Sequence, residues 1–147
     1  VPAALKRQEE TGNPCAAIQL EDGKIVVGRT SRLLGAAASV VLKVVKQLAG
    51  LPHEEKLLTE EYVKPIQKLK TVDLKSKNPN LHVEEALVAL ACASSTNPKA
   101  KLALDQLQNL RGLEFHSSVI LSPVDEVTIR GLGMHLTCSP EYEHKGK

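Results

Sequence analysis

At 147 residues the chain has the length of one domain and is long enough to bury a hydrophobic core. Hydrophobic residues make up 42% of it, whereas aromatic residues make up only 2%, with no Trp and a single Phe. The core must therefore be built from aliphatic side chains. A formal net charge of +2 is too small to indicate binding to nucleic acid or to a membrane surface, and so few rings argue against base stacking.

Cysteine content and hydropathy indicate the compartment. The three cysteines are odd in number and far apart, which favours a reduced, cytoplasmic protein over a disulfide scaffold. No apolar run reaches the roughly 18 residues of a membrane-spanning helix without a charge, because Lys43 and Lys46 interrupt the best one. No stretch has the pattern of a signal peptide. The chain starts at Val1 rather than at Met, and we expect it to be part of a longer protein.

The first half of the chain predicts a β-hairpin. Residues 16–20 are apolar with partial alternation, and residues 25–27 are β-branched, as strands usually are. Asp22-Gly23 between them is typical of a tight hairpin turn, since Gly tolerates a positive φ.

A long apolar helix is predicted to follow the hairpin. Residues 33–49 are apolar at almost every position, which indicates a helix that is buried on most of its circumference. We expect Thr30 or Ser31 to cap its start, and Gly50 to end it.

The second half predicts several helices and then a strand, a helix and a strand. Pro65 is expected at the first position of a helix rather than inside one, and residues 84–95 form a second strongly apolar helix. The remaining predicted elements are a helix started by Asn97-Pro98, a strand over 113–121, a short helix capped by Ser122 and a strand over 134–138. This order predicts an α+β fold, with the hairpin and two later strands packed on the central helix.

We predict a single domain over residues 1–147. Residues 1–13 resemble a linker, and residues 141–147 form a charged tail.

One candidate site precedes the long helix. Residues 23–30 nearly match a phosphate-binding loop, with Arg29 in the place of Lys, but residues 25–27 favour a strand over a loop. We therefore reject a nucleotide loop. A weaker form of the idea survives, in which Gly28, Arg29, Thr30 and Ser31 bind an anion at the start of the helix. The alternative is that Thr30 or Ser31 simply caps that helix.

A second candidate lies on the predicted strand over 113–121. His116 and Ser118 point to the same face of a strand, so both can contact one ligand, whereas His116 and Ser117 cannot form a nucleophile–base pair. A hydrogen-bonded, structural histidine is the favoured alternative. His135 and Cys138 lack a second pair of ligands at metal spacing, so we predict no metal site. The residues indicate no particular cofactor.

Several stretches resemble one known family, in order and at similar spacing. They are residues 22–31 with 34–37, residues 76–82, residues 96–98, residues 116–126, residues 132–133 and residues 136–138. The family is the bacterial domain of unknown function 1846 family, and the resemblance covers the C-terminal domain of its longer members. Arg29 departs from the Lys of the family pattern, which keeps the charge but changes its geometry. Ser139 departs from an acidic residue.

The resemblance implies a cytoplasmic bacterial protein that forms homo-oligomers and has no established activity. Two functions remain open. In the first, the chain is a structural and oligomerisation domain that packs on its own N-terminal α/β domain. In the second, Gly28–Ser31 and His116–Ser118 line a cleft between the two domains and bind a small phosphorylated or carboxylated ligand.

Overall fold

The computed structural model describes residues 15–31, 34–52, 55–76, 78–118 and 121–138. The predicted linker over 1–13 and the predicted tail over 141–147 lie outside these residues. Within them the predicted α+β class is confirmed, and the elements follow the predicted order.

Four strands form one mixed sheet, with the order β2-β1-β3-β4. The strands are β1 Cys15–Gln19, β2 Ile25–Arg29, β3 Glu114–Ser117 and β4 His135–Cys138. Strand β1 runs antiparallel to both β2 and β3, and β4 runs parallel to β3. Gly23, at a φ of 88°, makes the predicted hairpin turn between β1 and β2. The strand predicted over 113–121 is shorter in the structure, where β3 ends at Ser117.

Five α-helices are present in the described part of the chain. They are α1 Ala36–Leu48, α2 Glu60–Lys68, α3 Val83–Ser94, α4 Pro98–Leu104 and α5 Pro123–Gly131. A π-helical turn, Leu69–Asp73, extends α2, and a 3-10 helix, Asp105–Leu110, extends α4. No helix in these parts of the chain is long and apolar enough to span a membrane.

The prediction that Pro65 starts a helix is wrong, because Pro65 lies inside α2. Thr59 and the acidic pair Glu60-Glu61 start the helix one turn earlier. Proline cannot donate to the carbonyl four residues back, on Glu61, and its ring crowds that carbonyl, but Glu61 is exposed, so the carbonyl can tilt outward and bond to water. A short, exposed helix can therefore accommodate the ring.

The main core lies between one face of the sheet and the helices. Helix α1 packs on β1 and β2, and its other side contacts α3 and α4. The core is aliphatic as predicted, with Phe115 as its one fully buried aromatic side chain among the described residues. On the opposite face of the sheet, Cys15 and Ala17 are also buried and form a small cluster separate from the main core.

Candidate functional site

The predicted ligand-binding residues lie at one end of the sheet, where β2 and β3 both finish. Because β1 is antiparallel to both strands, the carboxyl ends of β2 and β3 flank its first residue. Arg29 is paired with Cys15 in the ladder, and the amide of Cys15 donates to the Ser118 hydroxyl at 3.0 Å. Arg29 and Ser118 therefore lie on either side of one β1 residue.

His116 shares a face of the sheet with Arg29 and Ser118. Side chains two residues apart on a strand point the same way, and Val27, Ala17 and His116 form the neighbouring row. The ring of His116 is partly exposed, but its Nδ1 atom is buried and has no hydrogen-bond partner within the part of the chain that the structure describes. Burial lowers the pKa of His116, which favours a neutral ring at pH 7. Among the described residues, Nδ1 therefore does not make the structural hydrogen bond that the favoured alternative predicts for this histidine.

Gly28 and Arg29 have opposite surroundings. A Cβ atom built on Gly28 would lie 2.6 Å from the backbone nitrogen of Val40 in α1, so the close approach of β2 to α1 requires glycine. Arg29 points to the other face of the sheet, is exposed, and forms no ion pair with any described residue. Of the predicted residues, Arg29 is thus the one that can present a charge to a ligand.

Ser31 and Leu34, between β2 and α1, close a hydrogen-bonded turn. The Ser31 hydroxyl accepts from the Leu34 amide at 3.1 Å, and the Ser31 amide donates to the Leu34 carbonyl at 2.9 Å. Helix α1 begins only at Ala36, and its N-cap Gly35 offers no side-chain acceptor. The prediction that Thr30 or Ser31 caps α1 is therefore wrong, since this extra turn separates both residues from the helix.

A partly buried polar cluster that the sequence did not reveal surrounds the start of α3. We call it the α3 joint, and it consists of Lys70, His82, Glu85 and Asp125. The Asp125 carboxylate accepts from the Val83 amide at 2.9 Å, so it caps a helix 42 residues away in the sequence. Glu85 accepts from the His82 amide at 2.9 Å and from the Lys70 ammonium at 2.8 Å.

The two carboxyl groups of the α3 joint have opposite pKa shifts. Burial raises the pKa of Asp125, and the hydrogen bond from Val83 only partly offsets that increase. Partial burial alone would raise the pKa of Glu85, but the hydrogen bonds from Lys70 and from His82 outweigh it and hold this pKa below its ordinary value. Glu85 is therefore ionised at pH 7, and Asp125 carries a cost of desolvation when it is ionised.

Part of the α3 joint could have been found from the sequence. The spacing of His82 and Glu85 is that of a capping box, with an acidic residue three positions after the N-cap. Ser122 accepts from the Asp125 amide at 3.5 Å, so the prediction that it caps α5 is confirmed. The role of the Asp125 side chain depends on the packing of α5 against α3, and no local pattern reveals it.

Two grooves lie away from the predicted residues. One, of about 430 Å³, lies near the hairpin turn and is lined by Leu20, Glu21, Asp22, Leu48, Gln108, Asn109, Arg111 and Leu113. The other, of about 460 Å³, follows the outer edge of β2 and is lined by Ile25, Val26, Val27, Lys43, Lys46, Gln47, Gly50 and Leu51. Neither of these two grooves is lined by Arg29 or His116.

The chemistry that these groups support is limited. Among residues 15–31, 34–52, 55–76, 78–118 and 121–138, no group of three His, Cys, Asp or Glu side chains is placed to hold a metal ion. Residues 23–30 nearly match a phosphate-binding loop, but residues 25–29 within that stretch form β2 instead. The fold and these clusters thus define a small α+β domain whose buried polar groups stabilise helix starts.

Comparison with known proteins gives the family. The profile of the C-terminal region of the domain of unknown function DUF1846 matches residues 1–147, and the chain belongs to this family. It is 47% identical over 145 residues to a UPF0371 protein of Corynebacterium efficiens, and 46% identical over 145 residues to one of Corynebacterium glutamicum. A UPF0371 protein of Streptococcus pyogenes serotype M5 is 46% identical over 142 residues.

The match covers most of this chain but only a part of each relative. It includes 99% of the chain for both Corynebacterium proteins and 97% for the Streptococcus protein. In all three cases it spans 29% of the relative's own length.

Proposed function

We propose that this chain is a structural domain that packs, through an exposed apolar surface, against the remainder of a longer protein of its family. The surface is the outer patch, formed by Leu69, Val72, Leu74 and Val88. These side chains are 48%, 57%, 67% and 58% exposed, and three of them lie within six consecutive residues. Isolated exposed apolar residues are common, but such a group is typical of an interaction surface.

The α3 joint holds the outer patch in place. Lys70 belongs to the same π-helical turn as Leu69 and Val72, yet its ammonium is buried and donates to the Asn80 carbonyl at 2.6 Å and to Glu85 at 2.8 Å. Val88 follows Glu85 by three residues and therefore lies on a neighbouring part of the α3 surface. Because a partly buried ion pair anchors the turn, its apolar side chains are presented to solvent rather than folded onto the core.

The relatives support the choice of partner. The matched region makes up only 29% of each relative's length, so the domain functions in the family beside a larger part of the same polypeptide. Interfaces between domains of one chain usually bury about 600 to 1,500 Å² and are partly apolar. The outer patch offers an apolar centre for such an interface.

A chimera tests this proposal. In it, the present chain replaces the matched 29% of the Corynebacterium efficiens relative. In the 147-residue chain alone, Val88→Asp should change the free energy of unfolding by less than about 0.5 kcal/mol, because the site is exposed. In the chimera the same change should cost at least about 2 kcal/mol, because it buries an unpaired charge.

Ile25→Asp is the matched control, since Ile25 is 52% exposed but lies on β2, away from the outer patch. It should have the same small effect in both proteins. Equal effects of Val88→Asp in the chain and in the chimera would contradict the proposal.

A second candidate function is the binding of a small anion, such as phosphate or a carboxylate, at Arg29. The observation that favours it is the row across the sheet, in which exposed Arg29 shares a face with His116 and Ser118. The Ser118 hydroxyl lies beside this row, but it is buried and accepts from the Cys15 amide, so Arg29 and His116 make the exposed part of the candidate site. Arg29 supplies the charge, and a planar guanidinium suits a bidentate contact with phosphate.

Thermal unfolding in rising concentrations of inorganic phosphate tests the second candidate. A ligand that binds the native state raises the melting temperature by mass action. The rise should be lost in Arg29→Ala and kept in Lys24→Ala, which removes an exposed cation from the opposite end of β2. An equal response of both variants, or no response of the parent chain, would refute this candidate.

A further inference from the structure

The two edges of the sheet differ in how they are protected. On the β2 edge, the Lys43 ammonium reaches over from α1 and donates to the outward carbonyl of Val27 at 2.9 Å. Strand β2 also carries the charged Arg29. Charged side chains, lysine above all, are the usual means by which proteins prevent an edge strand from pairing with another chain. The β2 edge is therefore closed to a further strand.

The β4 edge has no such protection among the described residues. The His135 amide donates to the Leu113 carbonyl at 2.9 Å, so the backbone groups of His135 point toward β3. Backbone N–H and C=O groups alternate in direction along a strand. Those of Thr137 therefore also point toward β3, while those of Leu136 and Cys138 point away from it, toward the open edge. No described strand pairs with these outward groups. The sequence of β4 contains no Pro, Lys, Arg, Asp or Glu.

We propose that the β4 edge pairs with the β4 edge of a second copy of this chain, in antiparallel orientation about a two-fold axis. The inference is independent of the proposed function, which concerns the outer patch. The pairing that uses every outward group places Leu136 opposite Cys138 of the second copy, and Thr137 opposite Thr137 of the second copy. It forms four backbone hydrogen bonds and joins the two sheets into one of eight strands.

The strand is complementary to itself in this register. Leu136 and Cys138 are half-buried on the helical side, so their pairing extends the apolar side of the sheet. Thr137 is exposed on the other face, and threonine pairs are favourable across neighbouring strands. Strand β4 contains no Lys, Arg, Asp or Glu, so no like charges meet across the contact. A two-fold contact of this kind closes at a dimer and does not propagate.

Helix α5 supplies area that a strand of four residues lacks. It packs on β4, and it exposes Val124 and Val127, the latter at 71%. A stable interface buries about 800 Å² per partner, which exceeds the contribution of four residues alone. We therefore include the exposed side of α5 in the dimer interface.

Charge substitutions at the two-fold axis test the pairing. Sedimentation equilibrium of the 147-residue chain should show a dimer, and both Thr137→Lys and Thr137→Glu should weaken it about five-fold, because each places like charges directly opposite. An equimolar mixture of the two variants should restore the parent's dissociation constant. Ile25→Lys, on the protected β2 edge, should leave the dimer unchanged. Circular dichroism checks that each variant folds.

Amide hydrogen exchange gives a readout that needs no variant. The amides of Leu136 and Cys138 should exchange more slowly as the protein concentration rises, whereas the outward amide of Val27 should not change. A chain that stays monomeric at about 100 µM, a concentration well above a dissociation constant in the low micromolar range, overturns the proposal. A dimer whose dissociation constant is unchanged by both Thr137 substitutions overturns the proposal as well, because its interface then lies elsewhere.

Discussion

Helices α1 and α3 have similarly apolar sequences but bury them to different extents. Helix α1 places eight of its thirteen residues in the core, whereas α3 places five of twelve there. Helix α1 lies between the sheet on one side and α3 and α4 on the other. Helix α3 makes its contacts with other helices, and Val88, Ala91 and Cys92 are exposed along its outer side.

The difference shows that apolar composition alone does not identify a core helix. The few polar residues of α1 are used within the fold, since Lys43 and Lys46 donate to the carbonyls of Val27 and Glu55. The outer apolar residues of α3 have no comparable role within the described part of this chain. We infer that α1 organises this domain, while α3 joins the domain to something else.

The largest effect is expected from a charge in α1. Val41 is 1% exposed, and Val41→Asp would place an unpaired carboxylate in the centre of the core. Burying such a charge costs several kcal/mol, which is a large part of the total stability of a small domain. We expect the variant to lose its native circular dichroism and cooperative melting. A variant that melts within a few degrees of the parent would show that α1 is not central.

A smaller loss is expected where β2 approaches α1. Gly28→Ala should cost about 3 kcal/mol, since its Cβ would meet the backbone of Val40 and one of the two elements must move. Gly131→Ala at the end of α5 is the control, because a Cβ there meets nothing within 4 Å. Urea unfolding of both variants measures the difference. Equal stability of the two would contradict the close contact.

The start of α3 provides the next test. Asp125→Ala should cost about 2 kcal/mol, because it leaves the buried Val83 amide without an acceptor, whereas Asp125→Asn keeps an acceptor in place. The folded pKa of Asp125 is raised above its unfolded value. The stability that the Asp125 carboxyl group contributes is therefore complete below its pKa in the unfolded chain, and is lost as the pH rises through its pKa in the folded protein.

Urea unfolding across a pH series tests that sign. The stability of Asp125→Asn relative to the parent should increase as the pH rises through the folded pKa of Asp125. Glu85→Gln should behave in the opposite way, because the folded pKa of Glu85 is lowered. The contribution of Glu85 is present above its unfolded pKa and is lost as the pH falls through the folded one. Parallel pH profiles for the two variants would contradict this assignment.

The smallest effect on the isolated chain is expected on the outer side of α3. Val88→Asp should change the free energy of unfolding by less than about 0.5 kcal/mol. Comparing its effect on stability with that of Val41→Asp distinguishes the roles of the two helices, since valine is replaced by aspartate in two similarly apolar sequences. A loss of several kcal/mol at Val88 would show that α3 is part of the core after all.

Much of the fold could be predicted from local patterns. The turn at Asp22-Gly23, the two apolar helices and the caps at Asn97 and Ser122 all depend on neighbouring residues, and the structure contains each of them. The start of α1 was not predictable in this way. Ser31 looks like a cap but closes a turn with Leu34, and the helix begins after that turn.

The site was less accessible to sequence reasoning. The sequence put His116 and Ser118 on one face of a strand, because alternation along a strand decides that. That Arg29 of β2 shares this face follows from the register of the sheet, which no local pattern gives. Lys70 and Asp125 were missed, since their roles depend on partners 15 and 42 residues away. Neither residue belongs to a motif that names its partner.

The most direct test of the account is the reactivity of Cys92. This thiol is exposed on α3, one turn after Val88, while Cys15 is buried and Cys138 half-buried. In the 147-residue chain, a maleimide should label Cys92 rapidly, and peptide mapping by mass spectrometry separates it from the other two cysteines. In the chimera with the Corynebacterium efficiens relative, Cys92 should be strongly protected from the maleimide, and Val88→Asp should abolish this protection. Equal labelling of Cys92 in the chain and in the chimera would contradict the claim that α3 packs against the remainder of the longer protein.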